Sequence, residues 1–267
     1  MSTPVIAAVN EYGHIRLEIS DAVATITIDR PEARNSLTRQ TGLELFDAVR
    51  RVAEDATVRV CVFRGSGRDF CCGADLKAPA PVGDLKPPPA FDTYQVTVLL
   101  HEMRAVSIAA IRGGCAGAGF GWACACDLRV ADETAVLNTA FLEVGVAGDM
   151  GVPWTLPRIV GAGRARELSF LPRKLGAAVA LQMGLLNRLW PAQAFEEELQ
   201  QLTSRLAAAP PLAIAAMKAN YVEAERVGLR SFISIEAERH VRLLGSEDRI
   251  EAFRAWLEKR PGKFSGR

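Results

Sequence analysis

The chain is short of several features that would assign it a role outright. Its 267 residues carry 32 Lys plus Arg against 31 Asp plus Glu, a formal net charge of +1. That balance supplies no electrostatic pull towards nucleic acid or an anionic membrane surface. No apolar run reaches the about 18 residues that span a bilayer. The opening MSTPVIAAVNEYGH lacks the charged-then-apolar pattern of a secretion leader. The six cysteines, Cys61, Cys71, Cys72, Cys115, Cys124 and Cys126, are too few and too clustered for a secreted disulfide framework. Several stand in apolar stretches, where a free thiol packs as a small hydrophobe. Cys124 and Cys126 have no histidine at ligand spacing, so no metal site is expected. Structural thiols in a reducing cytosol, and hence a cytoplasmic protein, are the expectation. No repeat is visible by identity, and the proline-rich stretch 78–89 is the only compositionally biased segment.

What the chain does have is glycine in one place. Residues 108–127 read IAAIRGGCAGAGFGWACACD. A β-branched and apolar run over 106–112 reads as a buried strand. Gly113, Gly114, Gly117, Gly119 and Gly121 follow, separated by small or apolar residues. Glycine at this density turns sharply and lets backbone N–H groups approach a ligand. The residues after Ala118 suit a buried helix whose first N–H groups are free. Strand, glycine turn and helix start make a seat for an oxyanion or other negative group; the same residues also suit close helix–strand packing with no ligand.

The rest of the chain reads as alternating elements. Segments 14–20 and 23–28 alternate as two strands, and Thr38 caps a helix over 39–53 with Leu43, Phe46, Val49 and Val52 on one face. A strand over 58–63, a glycine-bearing loop over 64–75 and a helix over 91–105 lead back to the strand at 106. The stretch 78–89 reads as a mobile surface excursion near a ligand. This alternation argues for α/β layering built from ββα units. Beyond 127 the pattern gives another strand or two, reaching 136–138, then a loop over 141–151, and Pro153 in the first turn of a helix. From 162 onward it is nearly all helical: 163–170, 176–183, 191–208, 211–226, 229–244 and 247–258. The helices after 191 carry apolar stripes with no evident partner in the first half, so they are expected to cover the core or another subunit.

Taken in order, several motifs together identify a family resemblance. They are Asp29-Arg30-Pro31-Glu32-Ala33-Arg34-Asn35-Ser36-Leu37, then Phe70 with Gly73-Ala74-Asp75-Leu76-Lys77, then Ile108-Ala109-Ala110-Ile111 with Ala116 to Gly119 and Cys126-Asp127. Leu156-Pro157-Arg158-Ile159-Val160-Gly161 and Gly184-Leu185-Leu186-Asn187-Arg188 complete them. Over about residues 10–264 the chain resembles the enoyl-CoA hydratase/isomerase (crotonase) superfamily. The resemblance implies a spiral of repeated ββα units over 1–195, a C-terminal helical region over 196–267 that builds a homotrimer or hexamer, and an acyl-CoA thioester as substrate. It implies no cofactor beyond the coenzyme A of that substrate. The family's oxyanion hole maps onto the backbone N–H groups of Ala74 and Ala118, next to Gly117. Coenzyme A contacts map onto Ala33, Asp75 and Leu76, with Lys77, Arg30 and Arg34 near phosphates.

The departures from the family pattern are equally informative. A hydratase of this family activates water with two glutamates; here Gly121 and Phe141 stand in their places, and neither exchanges a proton. Glu143 lies two residues from the second position. Asp149 matches by position the aspartate of dienoyl-CoA and 1,2-epoxyphenylacetyl-CoA isomerases, where it moves a proton, and of 4-chlorobenzoyl-CoA dehalogenases, where it is a nucleophile. The dehalogenase histidine would fall at Tyr94, against that assignment. Tyr94 is placed to approach an acyl pocket, or simply to pack. His101, Trp122 and Trp154 read as packing or surface groups. Asp149 also suits a helix-cap role before Pro153. The resemblance implies a single-aspartate isomerase, with a hydratase using displaced carboxylates and a non-catalytic acyl-CoA-binding protein as alternatives.

Overall fold

The computed structural model describes residues 7–9, 12–77 and 89–267. The strands are β1 (Ala7–Val9), β2 (Ile15–Ser20), β3 (Val23–Ile28), β4 (Val60–Gly65), β5 (Val106–Ile111), β6 (Gly114–Ala116), β7 (Leu128–Asp132), β8 (Val136–Asn138), β9 (Leu175–Gly176) and β10 (Arg188–Trp190). The helices are α1 (Arg39–Glu54), α2 (Phe91–Glu102), α3 (Ala118–Ala125), α4 (Val152–Val160), α5 (Ala162–Phe170), α6 (Ala177–Gln182), α7 (Phe195–Ala207), α8 (Pro211–Ala224), α9 (Leu229–Leu244) and α10 (Glu247–Glu258). The main sheet runs β1-β2-β3-β4-β5-β7-β10. It begins antiparallel and is parallel from β3 onward. A small second sheet, β6-β8-β9, stands beside it.

The main sheet is covered on both sides, as parallel sheets require. Along β4, Cys61 and Phe63 enter the large core with α1, α2 and α3, while Val60 and Val62 face the other way onto Phe195 and Leu199 of α7. Of the helices beyond 191, expected to cover the core or another subunit, α7 covers the core sheet. On α1, Thr38 accepts a hydrogen bond from the Thr41 N–H and caps the helix. Its buried face is Leu45, Ala48, Val49 and Val52, rather than the stripe that began at Leu43; Leu43 is 38% exposed and Phe46 only packs at the margin. Gly42 explains the rotation, because a Cβ there would meet the Thr93 side chain at 2.3 Å, so α2 crosses α1 on that side.

The region beyond 162 is less purely helical than its pattern: β9 pairs with β8, and β10 extends the main sheet beside β7. Each is two or three residues long, too short for periodicity to register. The stretch 78–89 lies, except for Pro89, outside the described residues. A buried cation fastens the C-terminal helices to the core. Lys218 on α8, 7% exposed, donates to the Leu100 and Ala105 carbonyls at 3.2 and 2.9 Å and pairs with Asp127 at 2.7 Å. No helix among the described residues is long and apolar enough to cross a membrane.

Candidate active site

Two backbone turns meet at the end of the core. Residue 71 bridges residue 115, and residue 74 bridges Leu37. Leu37 donates its N–H to the Gly73 carbonyl at 2.7 Å and accepts from the Asp75 N–H at 2.9 Å. Extended backbone alternates direction, so the Ala74 N–H between them points the opposite way; it donates to no described residue. The Ala118 N–H, at the first position of α3, is equally unpaired among the described residues. Gly73 and Gly117, which precede these two alanines, have φ of +85° and +54°. They touch: a Cβ on Gly117 would stand 3.3 Å from the Gly73 Cα. Two unpaired N–H groups therefore follow two glycines in contact, with the N-terminal end of α3 behind one of them.

The scaffold for this pair comes from the arginine-rich loop. Buried Asn35 accepts from the Arg30 N–H and donates to the Ser66 and Asp69 carbonyls, tying residues 30–37 to the turn that leads to Gly73. Arg30 pairs with Asp75 at 3.0 Å and donates to the Ser36 carbonyl. Arg34 makes a two-point contact with Asp69, at 2.9 and 3.1 Å, with its side chain still 59% exposed. Both arginines thus have internal partners. Ala33 ends a 3₁₀ turn beside them, and Leu76 and Lys77 are exposed.

Asp149 stands on the other side of the helix start. Phe141, 8% exposed, carries its ring between the two parts: Cε1 lies 4.0 Å from the Cβ position of Gly117, and Cδ2 lies 3.6 Å from that of Gly148. Asp149 is half-buried, and its Oδ1 is buried without a hydrogen-bond partner among the described residues. Burial alone pushes its carboxyl up to about 6. The ionisable groups on the elements packed around it are Cys71 and Cys72, Asp92, Tyr94, His101 and Glu102 on α2, Cys124 on α3 and Arg158 on α4. The cationic candidates among them are engaged elsewhere: His101 pairs with Glu225 at 2.8 Å, and Arg158 stacks on Trp154 and lies 3.9 Å from Glu225. The Cys71 thiol, pushed up to about 12 first by burial, also feels the Asp149 charge.

The surroundings differ in part from the sequence expectation. Met150, Val152 and Phe141 are buried, but Val144 and Val146 are about half exposed and do not dehydrate Asp149. The left-handed Gly145, φ +74°, closes a 3₁₀ turn and sends them outward. Glu143 is exposed and lines a cavity of about 920 Å³ with Arg34, Arg68 and Lys174, a lining that does not include Asp149. Tyr94 is half-buried and packs against the main core. Trp122 is fully buried in the core, and Trp154 carries Arg158 at 3.8 Å over its ring. Two contributions were not foreseen: Thr97, whose hydroxyl donates to the Met150 carbonyl at 3.2 Å, and the seating of Met150 against Gly121. The spacing Tyr94–Thr97, one turn on the same helix face, was the available signal for the first.

The family model of enoyl-CoA hydratase/isomerase matches residues 18–267. The chain belongs to that family and is a crotonase-superfamily enzyme that acts on an acyl-CoA. Among its relatives, a probable enoyl-CoA hydratase of Rhodobacter capsulatus is 36% identical over 257 residues, covering 96% of this chain and 99% of that one. The 1,2-epoxyphenylacetyl-CoA isomerase of Escherichia coli is 31% identical over 93% of this chain and 97% of its own. The crystal structure of enoyl-CoA hydratase from Bacillus anthracis superposes with a TM-score of 0.87 at 28% identity, covering 98% of this chain and 99% of that one.

Proposed function

We propose that this enzyme isomerises an unsaturated or ring-bearing acyl-CoA with Asp149 as its one acid/base group. The observation that carries the reading is a buried carboxylate oxygen with no hydrogen-bond partner among the described residues, on a carboxyl raised to about 6, on a turn whose Gly148 shares the Phe141 ring with Gly117. In this reading the Ala74 and Ala118 N–H groups hold the thioester oxygen. Asp149 takes a proton from one carbon of the acyl chain, and the electron pair of the broken C–H bond delocalises onto that oxygen as an enolate. Asp149 then returns the proton to a different carbon, a new C–H bond forms, and the double bond has moved. No electrons leave or enter, so the reaction draws on no redox group. Loss of one oxyanion donor costs about 3 kcal/mol of transition-state stabilisation, and a carboxyl near 6 suits a group that must both accept and release a proton. A hydratase reading needs a second carboxylate, and Glu143 lines a cavity whose lining does not include Asp149.

Coenzyme A would lie along Ala33, Asp75, Leu76 and Lys77, with the exposed edge of Arg34 available to a phosphate and Tyr94, Gly117 and Phe141 bounding the acyl group; Gly121, expected there too, is buried with its Cβ side filled by Met150. The exposed Met217, Tyr221, Leu229, Val241 and Trp256 on α8 to α10 support a homotrimer or hexamer, and the six free thiols, five of them buried, suit a reducing cytosol. The test is a panel of CoA thioesters followed by mass spectrometry: hydration adds the mass of a water and isomerisation adds none. The expected result is isomerisation with little hydration of crotonyl-CoA, kcat/KM falling as pH drops through about 6, and loss of about 10²-fold or more in Asp149→Asn. Hydration at an ordinary hydratase rate, or an active Asp149→Asn, overturns the reading.

A further inference from the structure

Two segments of backbone carry the paired donors, and below the donors they are zipped together. The Cys71 N–H donates to the Gly114 carbonyl at 3.1 Å, and the Ala116 N–H donates to the Cys71 carbonyl at 2.9 Å. Just before them, the Phe70 N–H donates to the Arg112 carbonyl at 2.8 Å. Beyond Gly73 and Gly117 the segments part and end in Ala74 and Ala118. The arrangement is a fork, and the separation of its tips follows from how its base is closed.

One rung of that base is not backbone. In a regular parallel ladder bridged at 71 and 115, the Gly114 N–H would go to the carbonyl of residue 69. The Asn35 side chain already donates to that carbonyl at 2.6 Å. The Asp69 carboxylate takes its place, with Oδ1 accepting from the Gly114 N–H at 2.7 Å. Asp69 is 4% exposed, and Arg34 grips the same carboxylate from outside at 2.9 and 3.1 Å. A Cβ on Gly114 would stand 2.9 Å from both Arg34 Nη2 and Asp69 Oδ1, so the bare strand lets the ion pair close over it. Burial pushes the Asp69 carboxyl up, but Arg34 and the Gly114 N–H outweigh it and hold it below the usual carboxylate range. The rung is therefore a charge-assisted bond, shorter and stronger than the amide rungs beside it.

We propose that Asp69 is a positioning residue for the oxyanion hole, its side chain closing the base of the fork and so setting the separation of the Ala74 and Ala118 N–H groups. Arg34 then has an inner edge that serves the fork and an outer edge left for a phosphate. The proposal rests on the reading of those two N–H groups as oxyanion donors and is independent of Asp149.

The variants are Asp69→Ala, which removes the rung, and Asp69→Asn, whose Oδ1 can still accept from Gly114. A third, Arg34→Leu, frees the carboxylate on its outer side. The readouts are kcat and KM on the best substrate of the thioester panel, and the infrared band of ¹³C=O-labelled butyryl-CoA bound at saturation, a thioester with no double bond to move. In the wild type, donors on the oxygen should lower the band below that of the free thioester. Asp69→Ala is expected to return it most of the way and to lower kcat about tenfold with KM within about twofold, since a misplaced reacting group costs up to about 10²-fold. Asp69→Asn should restore the larger part of both. Arg34→Leu should move the band part of the way, and it decides the matter if Asp69→Ala does not fold. A band that stays at the wild-type position in Asp69→Ala, or in Arg34→Leu where that variant decides, overturns the proposal even if kcat falls. A wild-type band equal to that of the free thioester removes the oxyanion reading itself, and the proposal with it.

Discussion

Replacing Asp149 with asparagine should make the protein more stable at the pH where it works, while removing its activity. The carboxyl is raised from 3.8 to about 6 in the folded chain by burial, so the folded state holds its proton more tightly than the unfolded state. Between those values the folded state binds more protons, and stability falls as pH rises through the window. Above it the ionised, partly dehydrated carboxylate remains a fixed cost. The rise from 3.8 to about 6 corresponds to about 3 kcal/mol, and solvent screening of a half-buried group reduces this to about 2 kcal/mol. For a chain of this length that is a melting shift of about 4 °C. The assay is the melting temperature of wild type and Asp149→Asn at pH 8 and again at pH 4, at matched protein concentration. Taking the difference between pH values cancels any packing effect of the amide. Asparagine should gain about 4 °C on wild type at pH 8 relative to pH 4. Equal differences at the two pH values, or a larger wild-type advantage at pH 8, would refute the burial argument.

Two further outcomes follow from the same geometry. Gly117→Ala puts a Cβ 3.3 Å from the Gly73 Cα at a φ of +54°; it should separate the two turns and lower kcat by about 10²-fold, read by turnover on the thioester panel with folding checked by circular dichroism. Light scattering at micromolar protein should report a trimer or hexamer, and a monomer there removes the assembly reading of α8 to α10.

Much of the scaffold was legible because it is written in long periodic segments. The pair of strands before Asp29, helix α1, the strand into the glycine run and the start of α3 at Ala118 all lie where alternation, capping and glycine place them. The strands β9 and β10 escaped because so short a run carries no period. The buried face of α1 was placed too far towards Leu43 and Phe46 because Gly42, which has no side chain to mark a face, sits against Thr93 of α2. Asp149 and Gly121 were each visible as isolated departures from a pattern. The seat of Met150 on Gly121 was not visible, since a contact between residues 121 and 150 has no expression in one dimension. Thr97 was silent for the same reason: its hydroxyl meets the Met150 carbonyl only in the fold.

Lys218 has an implication for how the C-terminal helices find their place. An apolar seam tolerates sliding, because one leucine substitutes for another at modest cost. An ammonium buried at 7% exposure against two carbonyls and Asp127 does not. Moving α8 along its axis by a single turn, about 5.4 Å, would leave the buried ammonium without its partners while Asp127 kept only its two hydrogen bonds from Ser107, a loss of about 3–5 kcal/mol. The contact therefore acts as a register mark more than as glue. It admits one docking position for α8, and because Asp127 directly follows the segment that begins at α3, that position is indexed to the same helix whose first N–H group faces the candidate oxyanion site.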